Sequence, residues 1–486
     1  MEQRKNFDIA ILGGGSAGCG AAYALANALN GYSGTCNYLK VVLIDKLPIL
    51  GGTSTAAWVN CFAATPDAPY MKTLFESLIT DGKAKYVDEN YIDFDKDILS
   101  TIDYSCTLLH KGHRNDGKRE ASISVNVDSL SKKYYTDLNA SNNIEMMLGY
   151  HFKNAFLKEN GYIDKIVIVK EDTGEEYVIH ANVFIDASGD SALVRNVSSK
   201  KGYDYYVGAD AFNRYEKTHG FIENSGEASD IESQINYPTL MYKVIEGQQE
   251  WTLEPLFGED AMIYETPNGE FFINSVSLLS GPGSSGIDVV HKGSEYVYNQ
   301  IKERTKYHWS TLKKSSKNKF KIWDLSNKKY IGYAPELGVR ETYRLNCERM
   351  LNENNLMKPF QEELSASDNL DKIIAIGNHP VDFHNNDKSP LHIKVVPYGV
   401  PFGALIPKKW KNVLAASRGA GFTHIAAASF RLNKDMGQIG WAAGKAALFY
   451  LNEHLQDTRN IEVSLLWDKK YMDFLNTVQK IKDICC

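Results

Sequence analysis

Cysteine is scarce in this chain, with seven residues in 486 and no CxxC pair. That excludes a disulfide framework and a zinc ribbon. Basic charge is in deficit too, 54 Lys and Arg against 60 Asp and Glu, for a net charge of −6. Nucleic-acid affinity rests on Lys and Arg, so no nucleic-acid partner is expected. Lys313, Lys314, Lys317, Lys319 and Lys321, between Trp309 and Trp323, read as a solvated loop. Long uninterrupted apolar runs are missing as well. The least polar stretch, residues 9–29, carries Gly13, Gly14, Gly15, Gly18 and Gly20, poor material for a membrane helix or a leader. A cytoplasmic protein without membrane contact is the expectation. His379, Asp382 and His384, like His110 with His113, lack a second nearby pair of ligands, so no metal is expected.

What the chain has instead is apolar bulk and glycine placed in motifs. Hydrophobic residues fill 43% of positions, enough for a sizeable core. The length predicts about three folding units, or two with one enlarged. Phe7-Asp8-Ile9-Ala10-Ile11-Leu12 is too short for a helix and reads as a buried strand. Gly13-Gly14-Gly15-Ser16-Ala17-Gly18 follows, then small and aliphatic residues that read as a helix, then the apolar strand Val41-Val42-Leu43-Ile44 closing on Asp45.

Strand, glycine turn, helix, strand and acid is the order of a dinucleotide-binding unit. Gly13 permits the tight turn, Gly15 lets the backbone approach a pyrophosphate, and Gly18 allows close helix packing. The helix start at Ser16 and Ala17 offers N–H groups to phosphates. Asp45 suits ribose hydroxyls, although it stands further past Gly18 than the usual ~20 residues, the excess lying at residues 31–37. The same turn spells GxSxG, so a serine hydrolase with Ser16 as nucleophile is an alternative; against it, no earlier strand and loop supplies an oxyanion donor. A second GxGxxG, from Gly281 to Gly286, contains Pro282 and reads as a loop.

Directly after Asp45 come Lys46 and then Gly51-Gly52-Thr53-Ser54. A glycine pair with hydroxyl residues this near the ribose acid suits a loop lying along a cofactor longer than NAD. The arrangement resembles the FAD domain of glutathione-reductase-type flavoproteins, where an acid, a basic residue and a Gly-Gly turn follow the first βαβ. Those proteins usually have Glu at the position of Asp45. Residues 144–152, 161–169 and 177–179 read as a β-meander, followed by a buried strand ending in Asp186-Ala187-Ser188-Gly189-Asp190. The resemblance implies adenine near Phe152, and Ser188, Gly189 and Asp190 beside the cofactor.

Residues 401–444 are similar to bacterial FAD-dependent oxidoreductases through Pro401, Leu405, Pro407, Asn412, Arg418, Thr423, His424, Ser429, Arg431 and Ala442-Ala443-Gly444. Ser417 and Trp441 depart from the usual Gly and Gln. Leu337 to Arg344, containing Arg340 and Glu341, and residues 374–384, ending Asp382-Phe383-His384, resemble two further blocks in the same order. The resemblance implies an α/β fold: a Rossmann-like FAD-binding domain, parallel sheet plus β-meander, with an inserted α+β substrate domain. Its parts are expected at 1–206 and 390–452 for FAD binding, 207–389 for the insert and 453–486 for a helical tail. It also implies a non-covalent FAD, a small polar substrate, and Arg418, Arg431, Gly437 and Gln438 beside the cofactor. The last of these opens a small-residue helix over residues 438–450, its N–H groups facing the flavin.

Flavin supplies the hydride or electron chemistry, and the protein must handle a proton, for which His is the usual residue. Of twelve His, motif position singles out His424 and His384. Asp382, two residues before His384, falls on the same side of an extended segment and can orient the imidazole. The plainer reading of either histidine is a structural hydrogen bonder. Arg340, Arg344, Arg418 and Arg431 read as carboxylate clamps or as structural ion pairs, Arg340 with its neighbour Glu341. An FAD-binding scaffold without chemistry is the remaining alternative. Cys19, Cys36 and Cys61 lack the spacing of a flavin disulfide reductase, and no second nucleotide fold is visible.

Overall fold

The fold comes from a computed structural model describing residues 3–29, 39–63, 69–87, 91–92, 112–113, 119–120, 122–198, 203–210, 232–258, 261–275, 283–315, 325–357, 366–379, 381–384, 392–393, 395 and 398–466. His110, Cys36, Pro282, Lys317, Lys319, Lys321 and Trp323 lie outside the described residues, as do residues 31–37 and 467–486.

Strand β1 (Gln3–Leu12) is polar and partly exposed at its start and buried from Ile9 to Leu12. It lies between β2 (Val41–Asp45) and β6 (Glu176–Asp186), parallel to both. β3 (Ile144–Leu148) extends the sheet parallel to β2, and β7 (Val413–Ala415) joins parallel to β6. β4 (Tyr150–Lys158) and β5 (Tyr162–Lys170) complete seven strands as an antiparallel run ending on β6. β6 does two jobs along its length. Its first half, Glu176 to His180, pairs antiparallel with β5, and its last three residues pair parallel with β7.

Two sequence expectations change here. Residues 144–152 are not one arm of a meander: Gly149, at φ 80, breaks them into β3 and β4. Residues 177–179 and 183–186 are likewise one strand rather than two. The alternating and continuous apolar patterns met inside β6 because its two halves have different neighbours, and continuous burial belongs to the parallel half.

Helix α1 (Ser16–Leu29) connects β1 to β2 and packs on α2 (Asn433–Asn452). α2 opens five residues before the expected Gln438, because the Leu432 N–H donates to Asp435 at 3.0 Å and starts the first turn. Small residues let the two helices touch, with Gly440 and Gly444 against Ala17 and Ala21. A second, antiparallel sheet holds Lys328–Tyr333, Tyr242–Glu246, Phe271–Asn274, Ala261–Glu265 and Tyr91–Ile92 in that order. Its core includes Trp309 of the helix Arg304–Ser315, fully buried with its indole N–H donated to Gln249 at 2.9 Å. Among the described residues, no helix is long and apolar enough to cross a membrane.

Candidate active site

Parallel pairing sets β1, β2 and β6 side by side, so Leu12, Asp45 and Asp186 finish on one edge of the sheet, where α/β proteins bind ligands. A cavity of about 680 Å³ opens there. The glycine turn forms part of its wall. Gly13 sits at φ +110, and a Cβ on it would lie 2.2 Å from the Ala187 carbonyl oxygen. A Cβ on Gly18 would lie 1.7 Å from the Gly13 carbonyl oxygen, so the turn and the first helical turn close only on glycine. Gly13, Gly15, Ser16 and Ala17 line the cavity, while Gly18 lies behind them.

Asp45 accepts the Gly14 N–H through Oδ2 and the Leu47 N–H through Oδ1, the latter at 2.7 Å. Burial raises its pKa from the ordinary value. Lys46 reaches Glu336 at 3.3 Å, joining this edge to the segment before Arg340. Gly52 and Thr53 line the cavity; Gly51 and Ser54 hold the turn, the Ser54 hydroxyl donating to the Gly51 carbonyl at 2.8 Å. Phe152 lines it from the start of β4.

The turn after β6 is organised by the buried Asp186. It accepts the Ser188 hydroxyl at 2.7 Å and the Val194 N–H at 3.0 Å, and Ser188 Oγ accepts the Ala192 N–H at 2.8 Å. Ser188, Gly189 and Asp190 face the cavity, with Asp190 paired to Arg195 at 2.9 Å. Arg195 in turn lies over the Tyr343 ring, 3.6 Å from its centroid. The Arg418 guanidinium stands against Gly189, and its Nε is buried with no hydrogen-bond partner among the described residues. Burial lowers its pKa, partly offset by Asp190. A hydrogen-bond acceptor is what that Nε lacks among the described residues.

A second part of the wall is built from side chains. In the segment around the strand Val381–Asp382, residues alternate sides. Asp382 and His384 turn to the cavity, where His384 Nε2 lies 2.7 Å from Asp382 Oδ2. Phe383 turns the other way and stacks on His424, ring centroids 5.3 Å apart. Arg431 donates to the Asp382 carboxylate at 3.2 Å and to its carbonyl at 3.0 Å. Arg340 also lines the cavity and donates one N–H to the Tyr237 carbonyl at 2.9 Å. Burial and the Arg340 charge push the His384 pKa down to about 4. Burial and Arg431 push that of Arg340 down to about 9.

His424 lies elsewhere. It does not line the cavity; it is buried, with Nδ1 2.9 Å from both oxygens of Glu341. Glu341 pairs with Arg344 at 3.1 Å, not with Arg340. Arg344, also fully buried, pairs with Asp210 at 2.9 Å, so it is no substrate clamp. His424 and Arg344 together draw the Glu341 pKa down to about 2 against its burial. The network reaches the cavity through Asn236, a residue no motif marks. Its amide donates to Glu341 at 2.7 Å, and its oxygen accepts the His384 N–H at 2.9 Å.

Gly437 and Gln438, expected beside the cofactor, do not line the cavity, nor do Gly18, Gly51 and Ser54. Gly437 faces the Tyr70 hydroxyl, where a Cβ would stand 2.1 Å away. Gln438 bonds both backbone groups of Ile376 at 3.2 Å. Because α2 starts early, Asn433 and Met436 take its cavity-facing positions, with Leu432 just before them. Among the described residues, the Ser16 hydroxyl has Asn433 Oδ1, at 3.4 Å, as its hydrogen-bond partner, which leaves a nucleophile elbow without its histidine. Nor does any group of three or more His, Cys, Asp or Glu among them have the arrangement to hold a metal ion.

A model of the family described as FAD dependent oxidoreductase matches residues 8–469. The chain belongs to that family. It uses FAD, and it is an oxidoreductase. The residues present fit the cofactor: a turn closed by glycine at a helix start, an acid at the end of β2, and a guanidinium at Gly189 whose buried Nε has no hydrogen-bond partner among the described residues. No curated protein sequence matches the chain.

Among solved structures, the L-amino acid deaminase from Proteus myxofaciens aligns over 96% of this chain and 94% of its own, with TM-score 0.46 and 10% identity. A geranylgeranyl bacteriochlorophyll reductase-like protein from Thermoplasma acidophilum aligns over 99% and 88%, with TM-score 0.45 and 10% identity. The p-nitrophenol 4-monooxygenase PnpA from Pseudomonas putida DLL-E4 aligns over 100% and 89%, with TM-score 0.44 and 10% identity.

Proposed function

We propose that this FAD-dependent oxidoreductase exchanges a hydride or electrons with a small polar substrate, and that His384 is its proton acceptor. The observation that carries this reading is the His384–Asp382 pair facing the same cavity as the glycine turn. FAD, when bound, would supply the hydride or electron chemistry; the chain's work is to hold both molecules and move the proton.

Ser16 and Ala17 would hold the pyrophosphate at the start of α1, Asp45 the ribose, Phe152 the adenine, and Arg418 an anionic group of the cofactor. A carboxylate only accepts hydrogen bonds, so His384 donates Nε2–H to Asp382 and keeps its lone pair on Nδ1. The lowered pKa keeps that ring neutral at pH 7, in the form that accepts a proton. Arg431 holds Asp382 in place from the opposite side. The antiparallel sheet, which sends Met262, Tyr264 and Asn274 to the cavity or its rim, would cover the substrate together with Thr239, which precedes the strand Tyr242–Glu246. His424 acts through Glu341 and Asn236 as a positioning residue. Anaerobic bleaching of the flavin by a panel of alcohols, amines and carboxylic acids tests the reading. With the substrate so found, His384→Gln should slow bleaching while FAD stays bound; unchanged bleaching rejects His384 as the acceptor.

A further inference from the structure

Among the described residues of the Asp382 cluster, the charge on Arg340 is not cancelled. Arg340 and Arg431 bring two guanidiniums to this part of the cavity, and Asp382 brings one carboxylate. That carboxylate is already shared between Arg431 and His384, at 3.2 and 2.7 Å. The acids behind the wall, Glu341 and Asp435, act on Arg431 rather than on Arg340. Glu341 lies between His424 and Arg344, and Asp435 accepts the Leu432 N–H beside Lys434. His379, on the same stretch of wall, adds no negative charge.

The two arginines differ in what they have left to give. Arg431 spends N–H groups on Asp382 and on the Ala428 carbonyl at 3.2 Å. Arg340 carries five N–H donors. Among the described residues, its one hydrogen bond is that to the Tyr237 carbonyl. A guanidinium that lines a cavity with one hydrogen bond among the described residues is held at a cost unless an anion meets it.

Resting on the flavin reading above, we infer that the substrate carries a carboxylate and that Arg340 binds it through its open N–H groups. One surplus positive charge matches one carboxylate, whose two oxygens fit the fork of a guanidinium. A phosphate group, with a charge approaching −2, would overfill the site. Arg340 and His384 line the same cavity, so a substrate whose carboxylate is bound by Arg340 would have its proton taken by His384. Arg340 is a binding residue in this scheme and His384 the acid–base group.

The test uses the FAD-loaded full chain titrated with lactate against lactamide and benzoate against benzamide, followed by calorimetry and by the visible spectrum of the flavin. Each acid should bind about tenfold or more tightly than its amide, the size of one charge-assisted hydrogen bond. Inorganic phosphate should not displace the acids. Arg340→Met should abolish the preference for acid over amide and Arg340→Lys keep part of it, both with FAD occupancy unchanged. Equal binding of acid and amide, full carboxylate affinity in Arg340→Met, or stronger binding of phosphate would each overturn the inference. A chain that takes up no FAD would instead defeat the flavin reading. The same ligand pairs, measured by thermal shift on the FAD-free chain, then decide the carboxylate question separately.

Discussion

Two parts of one cavity are made in opposite ways. The glycine-turn wall is main chain: Gly13, Gly15, Gly52, and the turn from Ser188 to Asp190, held by strand ends that parallel pairing has already aligned. The Asp382 wall is side chain: Arg340, Asp382, His384 and Arg431, drawn from three separate segments and positioned through Asn236 from a fourth. A wall of backbone groups is a consequence of local geometry and, in the proposed reading, would serve a cofactor whose phosphates are always the same. A wall of side chains is set by tertiary packing and is free to change with the substrate.

The contrast can be broken most severely on the backbone side. Gly18→Ala places a Cβ inside contact distance of the Gly13 carbonyl, and the expected outcome is loss of FAD uptake together with a large drop in thermal stability. Flavin absorbance per protein and a melting curve measure it; normal occupancy would mean that the turn is not the cofactor's cradle. Next comes the network behind the side-chain wall. Glu341→Ala strips the buried Arg344 and His424 of their shared carboxylate and should cost about 3–5 kcal/mol in denaturant unfolding, as breaking a buried ion pair does. A loss under ~1 kcal/mol would mean that the network is not holding the wall.

Arg418→Met sharpens the comparison from the cofactor side. Equilibrium dialysis of FAD should show affinity lower by about tenfold, one charge-assisted contact, with melting temperature little changed. The smallest effect concerns pH. His384 has an ordinary pKa of 6.5 and is held near 4 in the fold, so between these values the unfolded chain binds more protons than the native one. Stability is therefore full above about pH 6.5 and falls as pH drops toward 4, by about 1 kcal/mol at pH 5.5. Unfolding curves at pH 7 and 5.5 should differ by less in His384→Asn than in the parent chain.

The same division explains how much the sequence shows. The glycine turn, the two strands around it, Asp45 and the Ser188–Asp190 turn are local in the chain, and apolar runs with glycine at their ends reveal them. The break at Gly149 was legible too, since glycine inside an apparent strand marks a bend. So was the true start of α2, through Asp435 three residues past Leu432. The Glu341–Arg344–Asp210–His424 network was not. No spacing distinguishes an arginine paired with its neighbour from one paired three positions on, and Asn236 sits in no motif at all. Motif position gave His384 and His424 equal standing; only the alternation of Asp382, Phe383 and His384 about the chain, seen against what surrounds it, puts one histidine in the cavity and the other behind it.

That separation of the two histidines is the point on which the account turns. Anaerobic single-turnover reduction of the flavin, with the substrate found by bleaching, should be about 10²-fold slower or worse in His384→Asn, the size of a lost general base. In folded His424→Asn it should stay within about tenfold of the parent rate, the loss appearing in melting temperature. Parent-like reduction in His384→Asn, with the large rate loss in His424→Asn, would contradict the account.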